Sequence, residues 1–221
     1  MRGVLLAAAL GVLVSQAQAG EWTERCRAEA QRGLTAACQQ ALQTSPRDPE
    51  LHALLGQAYF AGSFYGEGLQ SLRDAIAMSG GRPEYRYRFA GYAALVNEYA
   101  QAVDELEKVV AEMPDHIRAW SLMADCYRYM KNGPQSLRAS RRAAELGDPA
   151  EAYALASRFS SGDGVARDGR EEQRWLERAA RGGYVAAMQD LALLYETGRP
   201  GIPADPGKRR YWLDAASKAL N

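Results

Sequence analysis

Apolar and small residues recur along the chain at helical spacing, and the recurring set repeats after 34 positions. Residues three and four positions apart lie on one face of a helix, and a fixed long period is typical of a repeat architecture. The three copies contain Leu55, Gly56, Tyr59, Gly68, Leu72 and Ala75, then Phe89, Ala90, Ala93, Ala102, Leu106 and Val109, then Met123, Ala124, Tyr127, Ser136, Ser140 and Ala143. The pattern predicts three pairs of helices, each pair joined by a short turn.

These positions resemble the tetratricopeptide repeat (TPR), a helix-turn-helix unit of 34 residues. In that repeat, small residues let the two helices of a pair approach closely, and large residues fill the space between neighbouring pairs. Trp120 stands where the motif places its tryptophan. The resemblance covers three units over residues 48–148. One period earlier, Cys38 and Ala41 fall in phase, which predicts a degenerate helix pair over residues 20–47.

Beyond Gly147 the period lengthens to about 36 residues. Leu155, Ala156, Phe159, Gly162, Gly164, Asp168 and Trp175 recur as Leu191, Ala192, Tyr195, Gly198, Gly201, Asp205 and Trp212. This second pattern resembles the Sel-like repeat, a close relative of the TPR unit, in two copies over residues 149–221. The glycines fit a turn that requires positive φ.

The two resemblances imply an all-α fold, a right-handed α-solenoid of antiparallel helix pairs. Such pairs stack in one dimension and curve around an extended concave surface. In TPR proteins the first helix of each pair lines this surface, which binds a peptide or protein segment. With units beginning at Pro49, Pro83 and Ile117, the resemblance implies these groove-facing positions: Gln57, Phe60, Tyr87, Leu95, Ser121, Asp125, Arg128 and Tyr129.

The N-terminal segment has the organisation of a secretory signal peptide. Arg2 supplies the positive start, Val4–Val14 is apolar, and Ala17-Gln18-Ala19 forms a small-x-small cleavage site. The apolar run is too short to span a bilayer, which needs about 20 residues. Arg far outnumbers Lys among the 27 basic residues, which favours a GC-rich bacterial source. We expect cleavage after Ala19, no stable membrane insertion afterwards, and a periplasmic or secreted protein; the alternative is an uncleaved anchor.

Export to an oxidising compartment permits disulfides. Cys26 and Cys38 lie on either side of Gly33. If the chain reverses at Gly33, the two cysteines lie at similar heights on antiparallel helices, which predicts a structural disulfide. A redox-active pair is disfavoured because the Cys-x-x-Cys spacing is absent. Cys126 lies inside an apolar pattern and is expected to be a buried free thiol; intermolecular pairing through it is the alternative.

The charge balance and the residue inventory argue against several classes of function. The 27 Lys and Arg residues equal the 27 Asp and Glu residues in number, so the chain has no basic field that would attract nucleic acid. His52 takes a packing position and His116 begins a helix, and neither has a nearby nucleophile in a recognised setting. Gly162-Asp163-Gly164 lacks the features of a phosphate or calcium loop. We expect no catalytic site, no metal and no cofactor.

Two functions fit this pattern. The first is a non-catalytic adaptor or scaffold of the bacterial cell envelope, which binds a protein or peptide partner on the concave surface. The second is a structural subunit that stacks with itself or with a neighbour in an envelope assembly. This homo-oligomer would form through residues 211–221, because solenoids normally need a polar cap and the last predicted helix has none beyond it.

Overall fold

The computed structural model describes residues 20–220 of the chain, so the expected signal segment lies outside the described residues. Residues 20–220 form twelve helices: α1 (residues 20–30), α2 (Ala36–Thr44), α3 (Pro49–Ala61), α4 (Tyr65–Met78), α5 (Pro83–Leu95), α6 (Tyr99–Glu112), α7 (Ile117–Tyr129), α8 (Gly133–Leu146), α9 (Pro149–Ser161), α10 (Gly169–Arg181), α11 (Val185–Thr197) and α12 (Pro206–Ala219). The all-α class that the two resemblances imply is confirmed for these residues. No helix in this range is long and apolar enough to cross a membrane.

The described residues form two compact units, which divide the sequence between Glu112 and Met113. The first unit contains α1 to α6 and the second contains α7 to α12. From α3 onward, the two helices of each pair pack along each other. Within each unit, the second helix of a pair contacts the first helix of the next pair. This neighbour-to-neighbour packing is the packing of stacked helical repeats.

Glycine at two repeat positions sets the distance between α3 and α4. A Cβ atom on Gly56 would lie 2.8 Å from Cγ of Leu72 and 3.0 Å from the carbonyl oxygen of Gly68. Leu72 is completely buried. Any larger residue at position 56 would therefore push the two helices apart, as expected for a small residue of the repeat motif.

A disulfide joins Cys26 of α1 to Cys38 of α2, as predicted. The two Cα atoms are 4.5 Å apart, and both side chains are completely buried. The chain reverses direction at Gly33, whose φ of +74° is readily adopted only by glycine. The disulfide belongs to an apolar cluster that includes Leu51 and Leu54 of α3, so it ties the short first pair to the next pair.

The 34-residue period is visible in the backbone of three equivalent turns. Ser63, Asn97 and Lys131 are the non-glycine residues with positive φ in the described part of the chain, at 65°, 64° and 58°. Each of them follows the first helix of its pair. The three units therefore share one left-handed turn, although their turn side chains differ.

Aspartate side chains cap three of the four helices of the two C-terminal pairs, α9, α10 and α12. Asp148 Oδ1 accepts hydrogen bonds from the backbone N–H groups of Ala150 and Glu151 at 2.9 and 3.1 Å. Asp168 and Asp205 cap α10 and α12 in the same way. Such caps satisfy amide groups that lack a partner within the helix. The recurrence of these aspartates in the sequence thus marks the start of a helix.

The glycines of the Sel-like turns have the positive φ expected from the sequence. Gly162 ends α9 with φ +84°, and Gly198 follows α11 with φ +67°. At Gly198 a Cβ atom would also lie 3.0 Å from the backbone nitrogen of Ala204. This turn therefore excludes other residues both by conformation and by space.

Candidate partner-binding site

A pocket of about 730 Å³ opens between the C-terminal turns of α3 and α5 in the first unit. We call it the α3–α5 pocket. Its walls are formed by Gln31, Gln57, Phe60, Ala61, Tyr65, Tyr92, Leu95, Val96 and Asn97. Three of the eight predicted groove positions, Gln57, Phe60 and Leu95, therefore lie together in one cavity.

Aromatic rings form one wall of this pocket. The ring of Phe60 lies 4.5 Å from that of Tyr92, with 43° between their planes, and 5.5 Å from that of Tyr65. Tilted rings at these distances attract each other beyond the area they bury. Burial raises the pKa of Tyr92, and the nearby Arg88 opposes this shift, so the phenol is neutral at physiological pH.

Tyr92 was not among the predicted positions. It lies three residues before Leu95, which was predicted, and residues three apart share a helix face. This three-residue spacing was the signal in the sequence that could have identified Tyr92 as a groove residue. The 34-residue period makes Gly91 the equivalent of Gln57, whereas the side chain that enters the pocket is that of the next residue, Tyr92.

The pocket contains apolar, phenol and amide groups but no charged side chain. Leu95 is 74% exposed, although it is a large apolar residue. Among residues 20–220, the carboxamides of Gln31 and Gln57 have no hydrogen-bond partner, whereas Asn97 accepts a bond of 2.6 Å from the Tyr99 hydroxyl. A free carboxamide can donate and accept hydrogen bonds. This arrangement suits a peptide backbone that carries an uncharged anchor side chain.

Tyr87 is half-buried on α5 and does not line the pocket. The arginines beside it join helices instead of extending into the pocket. Arg86 pairs with Glu105 of α6 at 2.5 Å, and Arg88 pairs with Glu50 of α3 at 2.7 Å. These arginines therefore hold α5 in place, which fixes the position of Tyr92.

The other four predicted positions lie on α7 in the second unit. The Ser121 hydroxyl donates a 2.5 Å hydrogen bond to Oδ2 of Asp148, the residue that caps α9. Asp125 and Arg128 form an ion pair with each other one turn further along. Tyr129 is 65% exposed at the end of the helix. Ser121 thus joins two helices, while the side chains of Asp125, Arg128 and Tyr129 are partly exposed at the surface.

The two histidines have structural contacts. Nδ1 of His116 accepts a 3.1 Å hydrogen bond from the backbone N–H of Ala119, which confirms it as a helix-start residue. A ring nitrogen of His52 lies 2.9 Å from the carbonyl oxygen of Pro46. Within residues 20–220, no three His, Cys, Asp or Glu side chains are grouped in a way that could hold a metal ion.

No family model matches the chain. The chain is 34% identical over 98 residues to Chitin synthase regulatory factor 2 of Schizosaccharomyces pombe. This match covers 42% of the chain but only 19% of that protein. It therefore relates the chain to a part of the fungal protein and not to the whole of it.

Three solved structures are similar over most of the chain. PilF of Pseudomonas aeruginosa is 16% identical with a TM-score of 0.64, over 93% of this chain and 90% of that chain. A Sel1 repeat protein from Oxalobacter formigenes is 21% identical with a TM-score of 0.56, over 91% and 84%. MamA from Desulfovibrio magneticus RS-1 is 17% identical with a TM-score of 0.61, over 78% and 97%. At sequence identities this low, the similarity shows a shared fold and nothing about function. The chain has the fold of the TPR and Sel1-like repeat proteins.

Proposed function

We propose that this chain is a non-catalytic protein–protein interaction scaffold of the bacterial cell envelope, and that it binds a segment of a partner protein in the α3–α5 pocket. The repeat fold and its solved neighbours support a scaffold for protein interactions. The observation that carries the proposed binding of a partner segment is the pocket itself. It combines an exposed Leu95 with the two free carboxamides of Gln31 and Gln57.

The chemistry of the pocket favours binding over catalysis. Its walls contain no carboxylate, ammonium, thiol or imidazole group, the groups that most often transfer a proton or attack a substrate. Aromatic and aliphatic side chains provide contact area, and carboxamides provide direction for hydrogen bonds. This combination of large rings with a few polar groups is typical of the residues that dominate protein interfaces.

The envelope location rests on two observations. The sequence of residues 1–19 has the organisation of a signal peptide. The disulfide between Cys26 and Cys38 supports an oxidising compartment, because thiols stay reduced in the cytosol. Mass spectrometry of the protein from its own cells tests this location. A mature chain that begins at Gly20 is expected, and a chain that retains Met1 in the cytosolic fraction would contradict it.

Partner capture from an envelope extract tests the pocket. The wild-type protein is expected to retain a partner that the Leu95→Ser variant loses, because Leu95 is exposed and its replacement leaves the fold intact. Leu193→Ser provides the matched control, since Leu193 is a 57% exposed leucine of α11 in the second unit. A partner that binds wild type and both variants equally would place the interaction outside the α3–α5 pocket.

One observation favours the alternative function, a stacking subunit. Helix α12 and the residue that follows it expose large apolar side chains: Tyr211 is 63% exposed and Leu220 is 70% exposed. Sedimentation at increasing concentration separates the two proposals. Association that disappears in a Tyr211→Ser, Leu220→Ser variant would favour stacking through residues 211–221, and a monomer at every concentration would exclude it.

A further inference from the structure

A second pocket, of about 510 Å³, lies against α8 in the second unit. We call it the α8 pocket. It is lined by Trp120, Pro134, Leu137, Arg138, Arg141, Arg142 and Glu145. All seven residues belong to the α7–α8 pair, and none of them lines the α3–α5 pocket.

The residues of α8 in this pocket form a continuous strip along the helix. Steps of three or four positions connect Pro134, Leu137, Arg141 and Glu145, so their side chains lie on one helix face. At a rise of 1.5 Å per residue the strip is about 16 Å long. An extended peptide covers this length with about five residues. The α8 pocket therefore has the dimensions of a short linear segment.

Two arginines of the strip are uncompensated. In the described part of the chain, Arg138 and Arg141 have neither an ion-pair partner nor a hydrogen-bond partner. The third arginine, Arg142, lies 3.3 Å from a carboxylate oxygen of Asp115 and 3.9 Å from one of Glu145. The pocket thus presents two free guanidinium groups beside a third that is already neutralised.

Other arginines of the second unit contrast with this arrangement. On α10, Arg174 pairs with Glu171 at 3.2 Å and Arg181 pairs with Glu177 at 3.1 Å. Arg178 donates to backbone carbonyl groups at the end of α8. The chain as a whole carries no net charge. Unlike these three arginines, Arg138 and Arg141 leave two uncompensated positive charges on one face of α8.

An apolar wall lies beside the free arginines. The indole N–H of Trp120 donates a 2.9 Å hydrogen bond to the carbonyl oxygen of Pro114, which holds the ring in place. Leu137 is half-buried and packs against the core of the second unit. The pocket can therefore receive an apolar side chain while Arg138 and Arg141 face neighbouring groups of the same ligand.

We propose that the α8 pocket binds an acidic segment of a partner protein, with carboxylates on Arg138 and Arg141 and an apolar side chain against Trp120. Guanidinium groups bind carboxylates through paired hydrogen bonds, and the charge of the strip complements such a segment. Glu145 at the end of the pocket and the zero net charge of the chain disfavour a long polyanion. This site is separate from the uncharged α3–α5 pocket, so one chain would hold two chemically different partner segments.

Peptide binding to the full chain tests this proposal. The probe is a fluorescein-labelled heptapeptide that alternates Glu and Leu, with blocked ends, followed by fluorescence anisotropy up to about 1 mM protein. We expect saturable binding that weakens as salt is added. Removing both free charges in an Arg138→Gln, Arg141→Gln variant is expected to weaken binding about tenfold.

Matched controls make the result specific to the pocket. The Arg170→Gln, Arg210→Gln variant removes the same charge from exposed positions of α10 and α12, and it should bind within about twofold of wild type. The Leu95→Ser variant should bind the peptide with the same affinity as the wild-type chain. Equal weakening in both arginine variants, loss of binding in Leu95→Ser, or equal binding of a peptide with Gln in place of Glu would overturn the proposal.

A direct comparison with other anions tests the class of ligand. Single-stranded DNA and phosphatidylglycerol vesicles are titrated under the same conditions. If either binds more tightly than the peptide and depends equally on Arg138 and Arg141, the proposed protein partner is wrong. If both bind more weakly, the assignment to an acidic protein segment stands.

Discussion

The rings of Phe60 and Tyr92 lie 4.5 Å apart and join the first helices of two consecutive repeats. Phe60 lies in the last turn of α3 and Tyr92 lies near the end of α5, so the contact exists only because the two helices are neighbours in space. The aromatic wall of the α3–α5 pocket is therefore a product of repeat stacking and not of either repeat alone.

Gly68 on α4 makes room for this wall. A Cβ atom at position 68 would collide with the ring of Phe60. We expect Gly68→Ala to displace the ring and to lower the free energy of unfolding by about 1–3 kcal/mol, as overpacking does. Urea denaturation followed by circular dichroism measures the change.

The control for Gly68→Ala is Gly91→Ala. Gly91 lies inside α5, and a Cβ atom there would meet nothing within 4 Å. Alanine in place of an interior helical glycine stabilises by about 0.5–1 kcal/mol. The two substitutions should therefore have opposite signs; equal effects would contradict the close contact at Gly68.

The Cys26–Cys38 disulfide should stabilise the N-terminal helices. Closing a loop of this length contributes about 3 kcal/mol, because it restricts the unfolded chain. We expect a Cys26→Ala, Cys38→Ala variant to unfold at lower urea concentration and to lose hydrogen-exchange protection first in α1 and α2. A variant with unchanged protection in those helices would show that the disulfide is dispensable.

Cys126 should be chemically inert in the folded protein. It is 1% exposed, and burial raises its pKa to about 11, so little reactive thiolate exists at pH 8. A thiol reagent is expected to find no reactive group in the native protein and one group in denaturant without reductant. Rapid reaction of the native protein would disprove the buried thiol, and three groups in denaturant would disprove the disulfide.

Replacing Lys131 with glycine should stabilise the protein. Its φ of 58° lies in the left-handed region, which costs about 1–2 kcal/mol for a residue with a Cβ atom. Glycine relieves this strain but loses more backbone entropy on folding, which offsets part of the gain. Lys131→Gly should therefore add about 0.5–1 kcal/mol to the free energy of unfolding. Asn97→Gly should add less, because asparagine tolerates this conformation. Thermal melts compare the two; a lower melting temperature for Lys131→Gly would contradict the turn geometry.

Glu151 should make the stability of the second unit depend on pH. Burial raises its pKa above the ordinary 4.5, and the hydrogen bond from Ser140 only partly offsets this. A carboxyl group with a raised pKa in the folded state stabilises that state below its ordinary pKa, and this contribution is lost as the pH rises through the folded value. The advantage of Glu151→Gln over wild type should therefore be larger at pH 7 than at pH 4, as measured by urea denaturation. Parallel curves at the two pH values would contradict the raised pKa.

The sequence predicted the helix pairs because burial of one helix face leaves a periodic signal. Leu55, Phe89 and Met123 occupy equivalent positions, and all three are buried. Equivalent turns at Ser63, Asn97 and Lys131 keep the same backbone conformation. The disulfide was also predicted from the sequence, since the cysteines on either side of Gly33 form the expected bond.

Positions that face a pocket carry no such periodic signal, since their neighbours come from other helices. The groove positions predicted on α5 were Tyr87 and Leu95, but the contact with Phe60 comes from Tyr92. The repeat period predicted that Ser121 faces the groove. Its hydroxyl instead donates a hydrogen bond to Asp148, 27 residues away in the sequence.

The sequence by itself determined the repeat architecture, the helix pairs and the disulfide, because each depends on residues that are close in the chain or equivalent by period. The tertiary structure alone decided which polar groups are free. Arg88 is neutralised by Glu50 of another helix, whereas Arg138 and Arg141 have no partner among the described residues. Whether a charge is compensated depends on distances between helices, and the pattern of residues along the sequence does not encode those distances.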